Sequence, residues 1–486
     1  LPGILPTPQP KDYFIEGPTG VYQTIDGNGV TTRAIIYVAA RRGGRFIHAI
    51  DVTNPTSPQY LWKISNATPG FEELGQTWSL PKIAKLRGYA NPVLIFGAGY
   101  DDGSNDSEPP GSAIERGSNA DNGADTMGRG IFIVDAYDGH LIWQTTHYPY
   151  YGWGYTDWWF RISSTWPGSF CTGTPPAAVV CQTQAMNYSM PADVTLLDKD
   201  VDGYIDRLYA TDTGGNVWRM GFEPAAGNTP DKWQVTQLAA LGCSWGPCNT
   251  QLGWLDYPSA ADPAATQRKF FFPPEVIGAT HLNNYDAVFV GSGDREHPLR
   301  SQAASLVPNR MYMIRDFNTG KDSVSQHYPI TESGEYGTSL ADCTGTVDDP
   351  ATINDETVHF CTAATTGAAT DMSYDKLTET ERRSGYYFSL RSAEKVVNAP
   401  LVTAGYVYFG TNQPTVPDPL SCTTNLGVAR GYQLSPFSAA HASVVYDVGG
   451  LPPSPVSGIV EIHNGDGTIS QAPFCVGCAT ALTDNN

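Results

Sequence analysis

Five times along the chain, an apolar run rich in β-branched and aromatic residues is followed by a turn or insertion. A second such run then ends near Asp or a turn residue. Ala34-Ile-Ile-Tyr-Val-Ala39 precedes Arg45-Phe-Ile-His-Ala-Ile-Asp51, with Tyr60-Leu-Trp-Lys-Ile64 as a third strand. Pro92-Val-Leu-Ile-Phe-Gly97 precedes Gly130-Ile-Phe-Ile-Val-Asp135, then Gly139-His-Leu-Ile-Trp143. The pattern returns at Asp206–Thr211 with Gly215–Met220, at Asp286–Gly291 with Arg310–Arg315, and at Gly405–Gly410 with Gly431–Leu434. Runs this short, bounded by Gly, Pro, Asn and Asp, read as strands, and helical periodicity is nearly absent. A Pro followed closely by an aliphatic often stands just before a unit: Pro81 to Ile83, Pro191 to Val194, Pro274 to Val276, Pro400 to Val402, Pro453 to Val456 and, as a further case, Pro18 to Val21. Pro is tolerated at the first residue of a strand, where its missing N–H costs little. These positions read as the start of the innermost strand of each unit.

Repeated strand meanders predict an all-β chain, a modified β-propeller of about seven blades, because radial repetition leaves only short, protected edges. A β-sandwich does not easily explain a recurring strand–turn–strand–Trp pattern. The period is irregular, with polar or Gly/Pro-rich insertions near 101–128, 166–188, 223–270 and 335–382. Propeller blades share one ring, so residues 1–486 are expected to form a single propeller domain, although the length alone suggests several domains.

The balance of 49 Asp+Glu against 29 Lys+Arg gives a net charge of −20. Such a surface repels nucleic acid and anionic membranes and favours solubility and cations. No stretch approaches the roughly 18–20 apolar residues of a membrane helix. The start, Leu1-Pro2-Gly3, lacks the charged and apolar regions of a signal peptide, so the chain reads as a processed or truncated piece of a longer precursor. Cys171 and Cys181, Cys243 and Cys248, and Cys343 and Cys361 lie close in sequence, in loops that suit disulfides and an oxidising, extracytoplasmic compartment. Cys422, Cys475 and Cys478 remain, and one of the nine Cys stays unpaired or pairs outside the chain. Cys475-Val-Gly-Cys478 makes a poor metal half-site without a second CxxC, and Ala479 stands where haem attachment needs His.

The sharpest local signal is Asp198-Lys-Asp200-Val-Asp202-Gly203-Tyr204-Ile205-Asp206. Counted from Asp198, carboxylates fall at positions 1, 3, 5 and 9 and a Gly at 6, which is the spacing of an EF-hand-type calcium loop. Calcium takes about six to eight hard oxygens, so a loop must coil around it, and Gly203 permits the turn. The ligand set read here is Asp198, Asp200, Asp202, the carbonyl of Tyr204, and Asp206. Position 12 is Tyr209 rather than Glu, inside a strand run, so the loop feeds a strand and Asp206 must supply the closing carboxylate. Asp101, Asp102, Asn105, Asp106, Asp121, Asn122 and Asp125 read as solvated loop, and Asn464-Gly-Asp466-Gly467 as a turn.

Catalytic signatures are missing: HExxH, GxSxG and GxxxxGK[ST] do not occur. His48, alternating within a strand, reads as packed rather than ligating. Trp153, Tyr155, Trp158 and Trp159 form the best candidate for an exposed aromatic patch.

Several segments resemble the PilY/PilC family of type IV pilus biogenesis and tip adhesin proteins. They are Arg42-Gly-Gly-Arg-Phe-Ile-His-Ala-Ile-Asp-Val-Thr-Asn-Pro55, Leu74-Gly-Gln-Thr-Trp-Ser79, Asp125-Thr-Met-Gly-Arg-Gly-Ile-Phe-Ile-Val-Asp135, the Asp198–Trp218 segment, and Lys395-Val-Val-Asn-Ala-Pro-Leu-Val-Thr-Ala-Gly-Tyr-Val-Tyr-Phe409. The resemblance implies the C-terminal part of such a protein, a seven-bladed propeller of the quinoprotein-dehydrogenase-like kind, with calcium held by Asp198, Asp200, Asp202, Asp206 and the Tyr204 carbonyl. It implies a non-enzymatic role in pilus assembly and adhesion, outside the cell at its surface or the pilus tip. Minor pilins or tip components, and a surface or host receptor, are the implied partners. The family's variable N-terminal adhesion module has no counterpart in this sequence. Two other classes share the blade pattern. A calcium- and quinone-dependent dehydrogenase needs a central cofactor pocket, for which no constellation can be assigned, and a carbohydrate-binding propeller needs exposed aromatics on its blades. Fold likeness alone does not choose among them.

Overall fold

The apolar runs pair in chain order into five meanders, seen in a computed structural model. It describes residues 13–101, 125–147, 170–183, 186–222, 227–242, 268–278, 285–317 (apart from 296, 298 and 300–302), 329–332, 339–344, 361–362, 371–372, 384–416, 425–463 and 468–479. Sheet one joins Thr19–Ile25, Thr31–Ala39, Phe46–Asp51 and Gln59–Ser65, all antiparallel. Sheet two joins Lys82–Ala84, Val93–Gly97, Ile131–Asp135 and Leu141–His147. Sheet three joins Thr195–Leu197, Arg207–Thr211, Asn216–Gly221 and Gln234–Ala240. Sheet four joins Glu275–Ile277, Asp286–Gly291, Arg310–Asp316 and Gly385–Ser389, with Ala341–Asp342 added in parallel. In sheet five, Lys395–Val396 and Leu401–Thr403 both pair with Tyr406–Gln413, followed by Val428–Leu434 and His441–Tyr446.

The continuous apolar runs are explained by burial on both faces. Successive residues of a strand point to opposite sides of its sheet. In sheet two, Leu94 and Phe96 pack with Ile35, Tyr37 and Trp62 of sheet one, whereas Val93 and Ile95 pack with Leu208 and Trp218 of sheet three. Sheet three turns Tyr209 and Val217 to Val288 and Tyr312 of sheet four. Sheet four turns Phe289 and Met311 to Phe409 and Tyr432 of sheet five. Each core therefore lies between consecutive sheets, which is the face-to-face stacking of a β-propeller-like fold.

Backbone bonds also tie neighbouring sheets at one end. The linker from sheet one to sheet two accepts from Arg41 N (at Thr77 O, 3.2 Å) and exchanges bonds between Gln76 and Tyr100 (2.8 and 2.9 Å). Ser189 in the next linker accepts from Thr213 N at 2.9 Å, and Lys269 in the one after accepts from Gly293 N at 3.0 Å. The approach is close enough to demand glycine: a Cβ on Gly97 would lie 2.4 Å from Met190 O.

The anticipated proline starts hold for the strands beginning at Thr19, Lys82, Glu275 and Leu401, each next to its Pro, with Thr195 a few residues after Pro191. Pro453 departs from the pattern. It precedes Val456–His463, which among the described residues pairs only with Ile469–Val476, in an exposed hairpin rather than as an inner blade strand. Sheet two is extended by Val179–Thr183, parallel to Leu141–His147, and by Phe170–Thr172. A disulfide joins Cys171 to Cys181 across that last pair, as anticipated. Cys343 is also disulfide-bonded. Cys475 bonds Cys478, so the CxxC is a disulfide rather than a metal half-site. Cys243, Cys248 and Cys422, the 153–159 aromatic stretch, the 464–467 turn and most of the four insertions lie outside the described residues. No helix among the described residues is long and apolar enough to cross a membrane.

Candidate metal centre

The acidic loop joins the first two strands of sheet three, where Leu197 and Arg207 are register partners. Asp206 N donates to Leu197 O at 2.9 Å and closes the loop's base. The chain turns back through two left-handed residues, Val201 at φ 58° and Gly203 at φ 88°. Space around Gly203 is open, so its positive φ, not crowding, is what requires glycine. Asp198 organises the coil: its Oδ1 accepts from Asp202 N at 3.1 Å and its Oδ2 from Gly203 N at 2.8 Å. Asp206 Oδ2 accepts from Lys199 N at 2.7 Å.

Carboxylate oxygens of Asp198, Asp200 and Asp206 all lie within 4.8 Å of one another, Asp206 buried and Asp200 exposed. This spread matches oxygens that share one cation at about 2.3–2.6 Å each, so three of the four predicted carboxylates converge. Asp202 is placed differently: its Oδ2 pairs with the Arg87 guanidinium, and its Oδ1 accepts from Tyr204 N at 2.8 Å. Tyr204 follows at the seventh position, with Arg87 5.1 Å over its ring. Arg87 comes from the segment between the first two strands of sheet two, and the loop is also tied there by Ile205 N donating to Lys85 O at 2.9 Å. Sequence spacing could not find the Arg87 contact, because it joins residues of different sheets.

Both flanks of the loop are anchored on sheet four. Lys199 Nζ reaches Asp286 at 2.9 Å, and Arg207 donates to the same carboxylate at 3.1 Å. Arg219 donates to Asp316 at 2.6 Å, and Tyr209 OH donates to Asp286 and Asp316 at 3.1 and 2.7 Å. Burial, then these two carboxylates, push the Tyr209 pKa well above its ordinary value.

A second group, Asp135, Asp138 and His140, also brings ligand atoms together. Asp135 there accepts from Tyr137 N at 2.7 Å, Asn91 Nδ2 at 2.8 Å and Tyr89 OH at 3.0 Å, which is the work of a turn. Asp101 Oδ2 accepts from Thr126 and Asp125 Oδ2 from Ser189, so these acids belong to a buried network, not a solvated loop. His48 sits half-buried between Phe46 and Tyr60, as a packed residue.

Stacked meanders with an acidic loop at one strand junction define a propeller-like domain with a candidate cation site. No family model matches the chain. A curated relative, a type IV pilus biogenesis factor PilY1 homolog of Xylella fastidiosa, is 24% identical over 246 residues, which cover 49% of this chain and 13% of the relative. The crystal structure of the Pseudomonas aeruginosa PilY1 C-terminal domain superposes with a TM-score of 0.52 at 15% identity, covering 94% of this chain and 82% of that one. An α-L-arabinofuranosidase of Fusarium graminearum reaches a TM-score of only 0.27 at 9% identity, covers 90% of this chain and 97% of its own, and carries no argument. The chain is thus similar in sequence to a PilY1 homolog over half its length, and in fold to the PilY1 C-terminal domain.

Proposed function

We propose that this chain is the calcium-binding, single-domain C-terminal propeller of a type IV pilus assembly and adhesion protein. It acts outside the cell, at the surface or the pilus tip, where contacts with minor pilins or tip components promote extension and oppose retraction. The observation that carries the calcium reading is the convergence of Asp198, Asp200 and Asp206 within 4.8 Å on a loop turned by Gly203. The similarity to PilY1 proteins supports the pilus role and the non-enzymatic reading. Bound there, calcium would supply the positive charge that offsets three converging carboxylates. Asp198 shapes the coil through the amides of Asp202 and Gly203, and Asp206 closes it beside the strand that Arg207 pins to sheet four. Loop order is thereby transmitted to one blade's rim, where a pilin could be gripped. The test is chromosomal replacement by Asp198→Ala with Asp206→Ala in the native host, read as surface pili and twitching. Lost piliation with normal export supports the reading. Normal piliation and twitching would reduce the loop to a structural staple. Stoichiometric binding of pyrroloquinoline quinone with dye-linked turnover would replace the adhesin by a dehydrogenase.

A further inference from the structure

Arg41 follows the second strand of sheet one and Arg295 the second strand of sheet four, yet a chain of aromatic contacts joins them. The Arg41 guanidinium lies 4.2 Å over the Trp78 ring, and Trp78 meets Tyr100 edge-on at 6.2 Å. Tyr100 packs on Phe271 at 6.0 Å, and the neighbouring Phe272 lies 6.0 Å beneath the Arg295 guanidinium. Burial and the charge of Arg41 pull the Arg295 pKa down. Arg41 is also held at a left-handed φ of 55°, and its Nε is buried without a hydrogen-bond partner. Other basic side chains at this end have carboxylates: Arg42 has Glu16, Lys269 has Asp294, and Arg268 has Glu332. Among the described residues neither Arg41 nor Arg295 forms an ion pair, in a chain carrying a net charge of −20.

Arg295 also lines a cavity of about 430 Å³ where sheets four and five meet. Its wall is apolar, formed by Leu299, Val397, Pro414, Leu426 and Leu451. Leu299, Leu426 and Leu451 are 59%, 51% and 57% exposed, unusually open for three leucines around one hollow. The polar side chains beside them are already engaged: Asn412 donates to the carbonyls of Leu426 and Gly450, and Thr415 bonds Asn425. Buried Lys395 and Asp294 also line the cavity: Lys395 donates to His297 O, and the Asp294 carboxylate is already engaged by Lys269 at 3.1 Å and His297 at 2.9 Å. Burial pulls the Lys395 pKa down to about 8, against the opposing pull of Asp294.

The geometry points to a binding site for a small organic anion with an apolar body. The leucine wall takes the body, and Arg295, reinforced by Arg41, takes the carboxylate or sulfonate. A guanidinium presents a planar fork of donors suited to such a group. This site is separate from the acidic loop and does not depend on the pilus reading. The probe is anilinonaphthalene sulfonate, followed by fluorescence against its neutral analogue phenylnaphthylamine, with octanoate as competitor. Saturable sulfonate binding displaced by octanoate is expected. Arg295→Gln should weaken it about tenfold and leave the neutral probe unchanged, Arg41→Gln should weaken it less, and Leu451→Ser should weaken both probes. Unchanged unfolding midpoints would show that these positions were altered without loss of the fold. Absence of saturable binding to wild type, equal affinity for the neutral probe, or sulfonate binding unchanged in Arg295→Gln would each overturn the proposal.

Discussion

Asp286 and Asp316 face one another as register partners in sheet four, fully buried, and three side-chain cations reach them: Lys199, Arg207 and Arg219. Asp198, Asp200 and Asp206 converge in the adjoining loop, where Asp198 is held by the amides of Asp202 and Gly203 and Asp206 by the amide of Lys199. The first group, two carboxylates, is met by three cations from within the chain and reads as structure. In the second, main-chain amides orient the oxygens of Asp198 and Asp206, and the proposed calcium would be held among them. Lys199 and Arg207, which flank the acidic loop, direct their charge to sheet four. The same short segment thus anchors one acidic group and presents the other.

The contrast breaks most visibly in stability. Asp286→Ala leaves buried cations without their counter-charge, and such losses cost about 3–5 kcal/mol. Asp198→Ala, in calcium-free buffer, should cost no more than about 1–2 kcal/mol, the scale of a lost loop hydrogen bond. Urea unfolding of both variants measures the difference, and equal losses would erase the distinction between the two groups.

A buried group that stays neutral sharpens it further. His147, on the last meander strand of sheet two, has its pKa lowered from 6.5 to about 4, first by burial and then by Arg129. The unfolded chain therefore binds the extra proton between those values, and the folded one does not. The contribution to stability is full above about pH 6.5 and is lost as pH falls toward 4, amounting to about 3 kcal/mol. Unfolding midpoints across this window should fall in wild type and flatten in His147→Phe. Parallel slopes would show that His147 is not the group responsible.

The smallest effect concerns Arg87. Its pair with Asp202 is part-exposed, and pairs of that kind contribute about 0–1 kcal/mol. Arg87→Ala should barely change stability but should release Asp202 toward the other three carboxylates, tightening calcium about two- to fivefold by calorimetry. Weaker calcium in this variant would mean that Arg87 positions the loop rather than competing with the ion.

The stacking of sheets was legible because burial on both faces writes itself as unbroken apolar runs, as at Val93–Gly97 and Asp286–Gly291. The acidic loop was legible because its ligands lie within nine residues and a glycine must sit at the turn. Contacts between sheets left no such trace. Arg87 with Asp202, Lys199 with Asp286, and Tyr100 with Phe271 join residues far apart in sequence, and no local spacing encodes them. Pro453 misled for a related reason: a proline marks where a strand can begin, not whether a neighbouring sheet will cover it.

Calcium titration by calorimetry, on wild type and on Asp198→Ala with Asp206→Ala, tests the acidic loop most directly. One site per chain is expected, with a dissociation constant between about a micromolar and a millimolar, since Glu is missing at position 12, and with magnesium competing poorly. The double variant should show no isotherm while keeping the wild-type fold by circular dichroism. An unchanged isotherm in that variant would contradict a calcium site at Asp198, Asp200 and Asp206.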